Sequence, residues 1–217
     1  MKFIKVNLVF FVLFAATLSL NAQKLFLEAG YLNPHRSGAV SREDYFDAGR
    51  VGVLAEYALK YNFGIQTGAL LNVGYAHKVQ RYGLTSGSDS VIYKTFNVGI
   101  DIPARIVYNQ KLFWGISMFA FAGPNIQIGL FQPQTAEAAL SANWQQLTGI
   151  TSGTRDLYSY DQGVRRINLQ LGLGGGFQWK KYILKGGYDW GINGLDKTGA
   201  DRMLQRNWYT SFVYQLK

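Results

Sequence analysis

Residues 63–75 read FGIQTGALLNVGY. Odd positions carry Phe63, Ile65, Thr67, Ala69, Leu71, Val73 and Tyr75, while the even positions include Gly64, Gln66, Gly68, Asn72 and Gly74. A period of two sustained over this length is the signature of a strand with two unlike faces. The twelve steps from Phe63 to Tyr75 span roughly 40 Å at about 3.3 Å each. At a barrel tilt near 40° that is about 30 Å along the axis, enough to cross the apolar band of an outer membrane.

The same alternation recurs outward from this stretch. Eight candidate strands follow, over 24–33, 49–59, 62–77, 91–107, 112–130, 164–179, 182–191 and 205–216. The connections between them alternate in length. Short ones lie at Lys60, at Asn109 to Lys111 and at Lys180 to Lys181. Long ones cover Pro34 to Ala48, Lys78 to Ser90, Phe131 to Gly163 and Ile192 to Leu204. Alternating short turns and long loops predict an all-β, eight-stranded antiparallel up-and-down transmembrane β-barrel of the outer-membrane type, with both termini periplasmic. Within loop 131–163, Thr135 followed by AEAALSANWQQL predicts a short helix.

One face of these strands is free of charge and rich in Leu, Ile and Val. Its aromatic residues favour the strand ends. Tyr57, Trp114, Trp179, Tyr182 and Tyr214 fall near the short turns, and Tyr31, Tyr75, Trp190 and Trp208 near the long loops. Two such belts fit the preference of Trp and Tyr for the headgroup region. The opposite face alternates Gly with polar residues and also holds Phe119 and Phe121. Glycine is costly inside a strand, but in a lumen only as wide as its side chains each glycine makes room for a neighbour.

The 217-residue chain has 22 Lys plus Arg against 13 Asp plus Glu, 25 Gly, 4 Pro and no Cys. Lacking cysteine, it can form no disulfide, thiolate metal site, cysteine nucleophile or lipidated cysteine. Lys2 and Lys5 precede an apolar run from Val6 to Leu20 that ends in Asn21, Ala22 and Gln23. The run is too short for a spanning helix and reads as a signal peptide over 1–22, leaving a barrel domain over 23–217.

Eight charges fall on the lumen face by parity: Glu28, Arg50, Glu56, Asp101, Arg105, Arg166, Lys185 and Asp189. Four acids balance four bases, as a buried paired network would require. The formal net charge of +9 invites nucleic acid as a partner, but placement excludes it. Two bases leave with the signal peptide, and the lumen set cancels. Lys24, Lys60, Lys111, Lys180, Lys181 and Lys217 then sit at termini or short turns, a periplasmic rim suited to outer-membrane lipid headgroups.

The fourth and fifth strands, VGIDIPARIVYNQKLFWGISMFAFAGP over Val98–Pro124, resemble the outer-membrane β-barrel proteins of Bacteroidetes known as porin family or PorT-like. The matching residues are Ile102, Pro103, Ala122, Gly123 and Pro124. The resemblance implies an outer-membrane barrel and, through PorT itself, an association with a secretion system. Members end on an aromatic residue read by the barrel assembly machinery, whereas this chain ends Tyr214, Gln215, Leu216, Lys217.

Candidate chemistry is sparse. His35 and His77 are the two histidines, and a His-Ser-Glu arrangement for lipid modification would draw on Ser86, Ser88 and Glu43. Nothing in the sequence brings these together. LGLGGGF over Leu171–Phe177 fails the dinucleotide pattern, and Asp196 and Asp201 offer too few oxygen ligands for calcium. The reading is a non-enzymatic outer-membrane protein without metal or cofactor, whose loop 131–163 meets a protein or surface partner. A small gated channel or ligand carrier and a lipid-modifying enzyme are the alternatives.

Overall fold

The computed structural model describes residues 24–38, 44–82, 89–161, 163–199 and 202–217. The expected signal peptide lies outside the described residues. The elements are β1 (Lys24–Ser37), β2 (Asp44–Tyr45), β3 (Asp47–Ala58), β4 (Phe63–Arg81), β5 (Ser90–Lys111) and β6 (Ile116–Phe131). They continue with β7 (Pro133–Ala139), α1 (Ala142–Thr148), β8 (Gly153–Asp156), β9 (Ile167–Trp179), β10 (Tyr182–Gly191) and β11 (Leu204–Gln215).

Eight of these strands close a ring in the order β1, β3, β4, β5, β6, β9, β10, β11, every neighbour antiparallel. Closure is made by β1 on β11, from Phe26 opposite Gln215 to Ser37 opposite Leu204. The protein is an eight-stranded antiparallel barrel. No open edge remains in the ring, the condition a sheet must meet to sit in hydrocarbon.

The strands outrun the period-two reading at the long-loop end. β4 reaches Arg81 and β5 begins at Ser90, so the expected loop 78–90 narrows to a hairpin in which the Tyr82 amide donates to the Asp89 carbonyl at 2.9 Å. The expected strand 112–130 starts four residues late, because Leu112–Gly115 form the turn. There Trp114 takes φ 55° and Gly115 φ 74°. Trp114 is therefore a turn residue, 89% exposed, and not a strand residue on the apolar wall.

The predicted helix over 135–147 is half strand. Residues 133–139 form β7, which pairs with the outer part of β5, Ser90 opposite Ala139 through Thr95 opposite Gln134. An unpaired edge on β5 supplies hydrogen bonds that outweigh the modest helix propensity of an Ala-rich run. Only α1 survives, begun at Ser141 and ended by Gly149 in the left-handed conformation, whose N–H returns to the Gln145 carbonyl. β8 then pairs with β7. The outer halves of β4 and β5 with β7 and β8 thus make a four-stranded sheet that rises beyond the ring.

Apolar residues coat the outside of the wall, with Tyr57, Phe63, Tyr108, Trp179, Tyr182 and Tyr214 toward the short turns and Tyr31, Tyr75, Trp190 and Trp208 toward the long loops. Several pack on each other across strands, as in Tyr31 with Trp208 (5.3 Å between centroids) and Tyr182 with Tyr214 (5.5 Å).

The lumen differs from the expected Gly-and-polar lining. Phe26, Leu54, Leu70, Ile183 and Val213, joined by Phe119, form a buried apolar layer. Leu32, Ala48, Val107, Phe121 and Tyr209 form a second. Both stem from lumen-parity positions, since an eight-strand interior is filled by whatever side chains point into it. The glycines serve this packing. A Cβ at Gly174 or Gly176 would collide with the Phe121 or Phe119 ring.

Candidate functional site

The strongest concentration of functional groups is inside the barrel. Glu28, with none of its surface exposed, receives Lys185 Nζ at 3.0 Å and lies 3.3 Å from Arg50 Nε. The Arg50 guanidinium stacks 4.3 Å over the Tyr209 ring, and Lys185 Nζ lies 5.0 Å from the Phe121 ring. Aromatic faces thus stand in for water around two desolvated cations.

A second pair sits beside the first. Arg105 donates to Asp189 through Nη2 and to the Gly123 carbonyl through Nη1. The local sequence explains the placement. Pro103 has no N–H to give, and pairing between β4 and β5 lapses between Thr67–Ala104 and Leu70–Asp101. Pairing between β5 and β6 lapses just beyond, between Pro103–Asn125 and Ile106–Ala122. Gly123, at φ 151°, leaves its carbonyl free there, and a Cβ on it would strike the Ala104 carbonyl. The two halves of the quoted motif, Ile102–Arg105 and Ala122–Pro124, therefore meet across this break and aim Arg105 inward. Gly172, opposite Asp189 in register, has no room for a Cβ against the carboxylate.

Asp101 has no base within ion-pair distance among the described residues. Its Oδ1 accepts from Gln127 Nε2 at 3.0 Å. Gln127 Oε1 accepts from Gln205 Nε2 at 2.6 Å, and Gln205 Oε1 accepts from Arg36 Nε at 2.7 Å. All four side chains are buried. Oriented amide dipoles thus connect an acid and a base that have no ion-pair partner among the described residues.

Arg36 is the residue the sequence reading missed, and Arg166 is the one it misplaced. β9 begins at Ile167, so Arg166 belongs to the loop before it and parity no longer applies. Its side chain is 46% exposed, donates to the Leu130 carbonyl at 3.0 Å and lies 3.9 Å from Asp156. β1 in turn runs on through Pro34 to Ser37, which carries the lumen parity of Phe26 and Glu28 on to Arg36. The signal was present in that spacing. Among the described residues the interior holds four acids, Glu28, Glu56, Asp101 and Asp189, against four bases, Arg36, Arg50, Arg105 and Lys185.

Glu56 stands apart from the others. It accepts from Lys24 at 2.8 Å and from Asn109 at 3.5 Å in the short-turn mouth, a cavity of about 400 Å³. Lys24 is accordingly folded inward, whereas Lys60, Lys111, Lys180, Lys181 and Lys217 are exposed at that end. Beneath this mouth lies a further pocket of about 20 Å³ where Phe26, Leu54, Phe119 and Ile183 meet Glu56, Gln66 and Lys185, room for about one water molecule and not for a file of them. At the long-loop end, Tyr158, Val164, Leu195 and Met203 pack together above the lumen. Tyr158 reaches in to donate to Asn97 Oδ1 at 3.1 Å.

Outside the ring, Lys94 donates to Glu137 across β5 and β7, and that bond holds the exposed ammonium above its ordinary pKa. Trp144 of α1 packs on Tyr82, 5.6 Å between centroids, and Leu147 stands exposed. His35 stacks on Tyr45 at 4.2 Å, and His77 lies opposite Lys94 in the sheet. Glu43, Ser86 and Ser88 lie outside the described residues. Among the described residues no three His, Asp or Glu side chains gather where a metal ion could be held.

The chain is similar to small outer-membrane β-barrels. Neisserial surface protein A matches with TM-score 0.43 and 9% identity, over 88% of this chain and 96% of its own. The attachment invasion locus protein Ail of Yersinia pestis, in complex with the heparin analogue sucrose octasulfate, matches with TM-score 0.42 and 10% identity, over 89% and 98%. The N-terminal β-barrel domain of Pseudomonas aeruginosa OprF matches with TM-score 0.27 and 9% identity, over 87% and 97%. No protein family matches the sequence, and no curated protein matches it.

Proposed function

We propose that this protein is a non-enzymatic, integral outer-membrane barrel with a sealed lumen, and that its outer sheet is a platform for a protein or surface partner. The observation that carries this reading is the contrast between the two ends. The interior is blocked by apolar layers and by an ion-paired charge cluster, while β4, β5, β7 and β8 rise beyond the ring. From Phe96 to Ser90 the rise is about 20 Å at 3.3 Å per residue. Its tip offers Tyr82, Trp144 and Leu147, an aromatic and aliphatic group of the kind that anchors interfaces.

Export through segment 1–22 and insertion by the barrel assembly machinery would put the short turns in the periplasm. The exposed lysines at that end suit phospholipid headgroups, and the aromatic belts suit the two interfaces. The PorT-like reading rests on residues 98–124 alone. A channel or ligand carrier would need a continuous wet lumen, which the two buried apolar layers argue against.

The test has two arms. Refolded barrel should migrate differently boiled and unboiled on SDS gels and stay silent in planar bilayers; steady unit conductance would overturn the sealed lumen. Replacing residues 133–156 by a short turn should leave the barrel intact and remove adhesion of expressing cells to whatever surface the full chain binds. Unchanged adhesion would overturn the platform.

A further inference from the structure

Gly186 sits on the apolar outer wall, in the middle of β10, and nothing among the described residues asks for a glycine there. Its φ is not positive, and a Cβ built on it would meet only the Tyr209 carbonyl at 3.6 Å, an ordinary contact. Gly175, beside it on the same outer face, does have an internal reason, since a Cβ there would lie 2.6 Å from the Phe119 carbonyl. A strand glycine without an internal reason points to close approach from outside.

Cross-strand register shows what its small size creates. Gly186 lies between Gly175 on β9 and Thr210 on β11, and Gly175 lies opposite Ala120 on β6. The row toward the short turns is Phe177, Leu184 and Phe212, and the row toward the long loops is Leu173, Tyr188 and Trp208. A trench of small residues is thus walled by bulky ones on both sides. Next to it, toward the short turns, lies an apolar hollow of about 360 Å³ lined by Phe177, Trp179, Tyr182, Leu184 and Phe212. The hollow ends at the β9–β10 turn, made of Lys180 and Lys181. Lys180 Nζ lies 5.0 Å from the Trp179 ring, and neither lysine is in an ion pair among the described residues.

We infer that this hollow and trench seat one acyl chain of an anionic phospholipid of the periplasmic leaflet, with its phosphate at Lys180 and Lys181. Five strand steps separate Lys181 from Gly186, roughly 16 Å at 3.3 Å each. At a tilt near 40° that is about 13 Å along the axis, half of an apolar band about 25 Å tall. The charge at the turn selects the occupant. A second copy of the chain would bring its own lysine pair to the same level and meet repulsion, whereas a phosphate is complementary. The inference rests on the outer-membrane reading proposed above.

Native mass spectrometry of the detergent-solubilised full chain tests it, with phosphatidylglycerol and phosphatidylcholine added at equal concentration. The expected result is one retained phosphatidylglycerol. The variant K180Q/K181Q should weaken that preference about 25-fold, about fivefold for each base near an anionic headgroup. Gly186→Leu should fill the trench and reduce retention of both lipids, while Ala69→Leu on the opposite wall should change neither. All variants should keep the gel shift of a folded barrel. Equal retention by wild type and Gly186→Leu, no headgroup preference, or a dimer formed through this wall would each overturn the proposal. Failure of the wild type to insert into vesicles would instead overturn the membrane reading itself.

Discussion

Replacing Glu28 by Gln keeps the shape of the side chain and removes one charge from the most enclosed site in the barrel. The carboxylate is wholly buried, with Lys185 at 3.0 Å and Arg50 at 3.3 Å, both almost fully buried themselves. At an effective dielectric of about 20, each attraction is about 5 kcal/mol before any desolvation cost is subtracted. Loss of one member of a buried ionic group costs about 3–5 kcal/mol, because the partners stay buried and uncompensated. The glutamine oxygen still accepts from Lys185, a bond worth about 1 kcal/mol, so the expected loss is about 3 kcal/mol. Urea titration of the barrel in short-chain lipid vesicles, followed by tryptophan fluorescence, reads this directly. Adding Lys185→Met should return part of the loss, since one stranded cation is then gone, and the cycle should show coupling of at least about 2 kcal/mol. A Glu28→Gln variant within about 0.5 kcal/mol of wild type would mean that the cluster is hydrated and that the ion pairing carries no net stability.

Three further outcomes follow from the same geometry. Arg105→Gln should cost several kcal/mol in that titration while Arg166→Gln stays within about 0.5 kcal/mol, since one is a buried paired base and the other an exposed loop residue; equal effects would contradict the assignment of Arg166 to the outside. Gly172→Ala should destabilise by about 1–3 kcal/mol as its methyl meets the Asp189 carboxylate, and full wild-type stability would show that the pair can move aside. Phe26→Ala with Leu54→Ala removes two members of the apolar layer beneath the short-turn mouth, so small cations should reach the charge cluster and planar-bilayer recordings should show brief openings; continued silence would place the seal elsewhere, at the Tyr158 cap.

The wall of the barrel was legible in the sequence because a membrane-facing strand has to repeat every two residues, and FGIQTGALLNVGY does so through a whole crossing. Its ends were less legible. Trp114 kept the apolar rhythm while standing in a turn, and Pro34 read as a strand end although β1 carries on to Ser37. That second misreading hid Arg36. Residues 135–139 read as helix because an edge on β5, distant in sequence, decides their conformation. Parity told which side a charge occupies but not its partner. Arg105 and Asp189 lie on β5 and β10, with β6 and β9 between them in the ring, and only closure and stagger bring them together.

The buried charges also bear on how the ring finds a single register. Suppose β1 slipped by one residue against β11: Glu28 and Arg36 would turn to the apolar wall, and Leu27 and Ala29 would enter the lumen. Charged groups in hydrocarbon are costly, so that register is excluded by the wall alone. A slip by two residues is the more dangerous error, since it preserves inside and outside. Hydrophobic pattern cannot detect it. The charge cluster can, because Glu28 would leave Lys185 on β10, and Arg36 would leave Gln205 at the end of the amide chain to Asp101. Each separation strands a buried ion at a cost of several kcal/mol. The apolar layers above and below make that penalty full-sized by keeping water from the stranded groups. Sealing the lumen and fixing the stagger of the strands are thus one arrangement, in which the layers supply the low dielectric and the ions supply the discrimination.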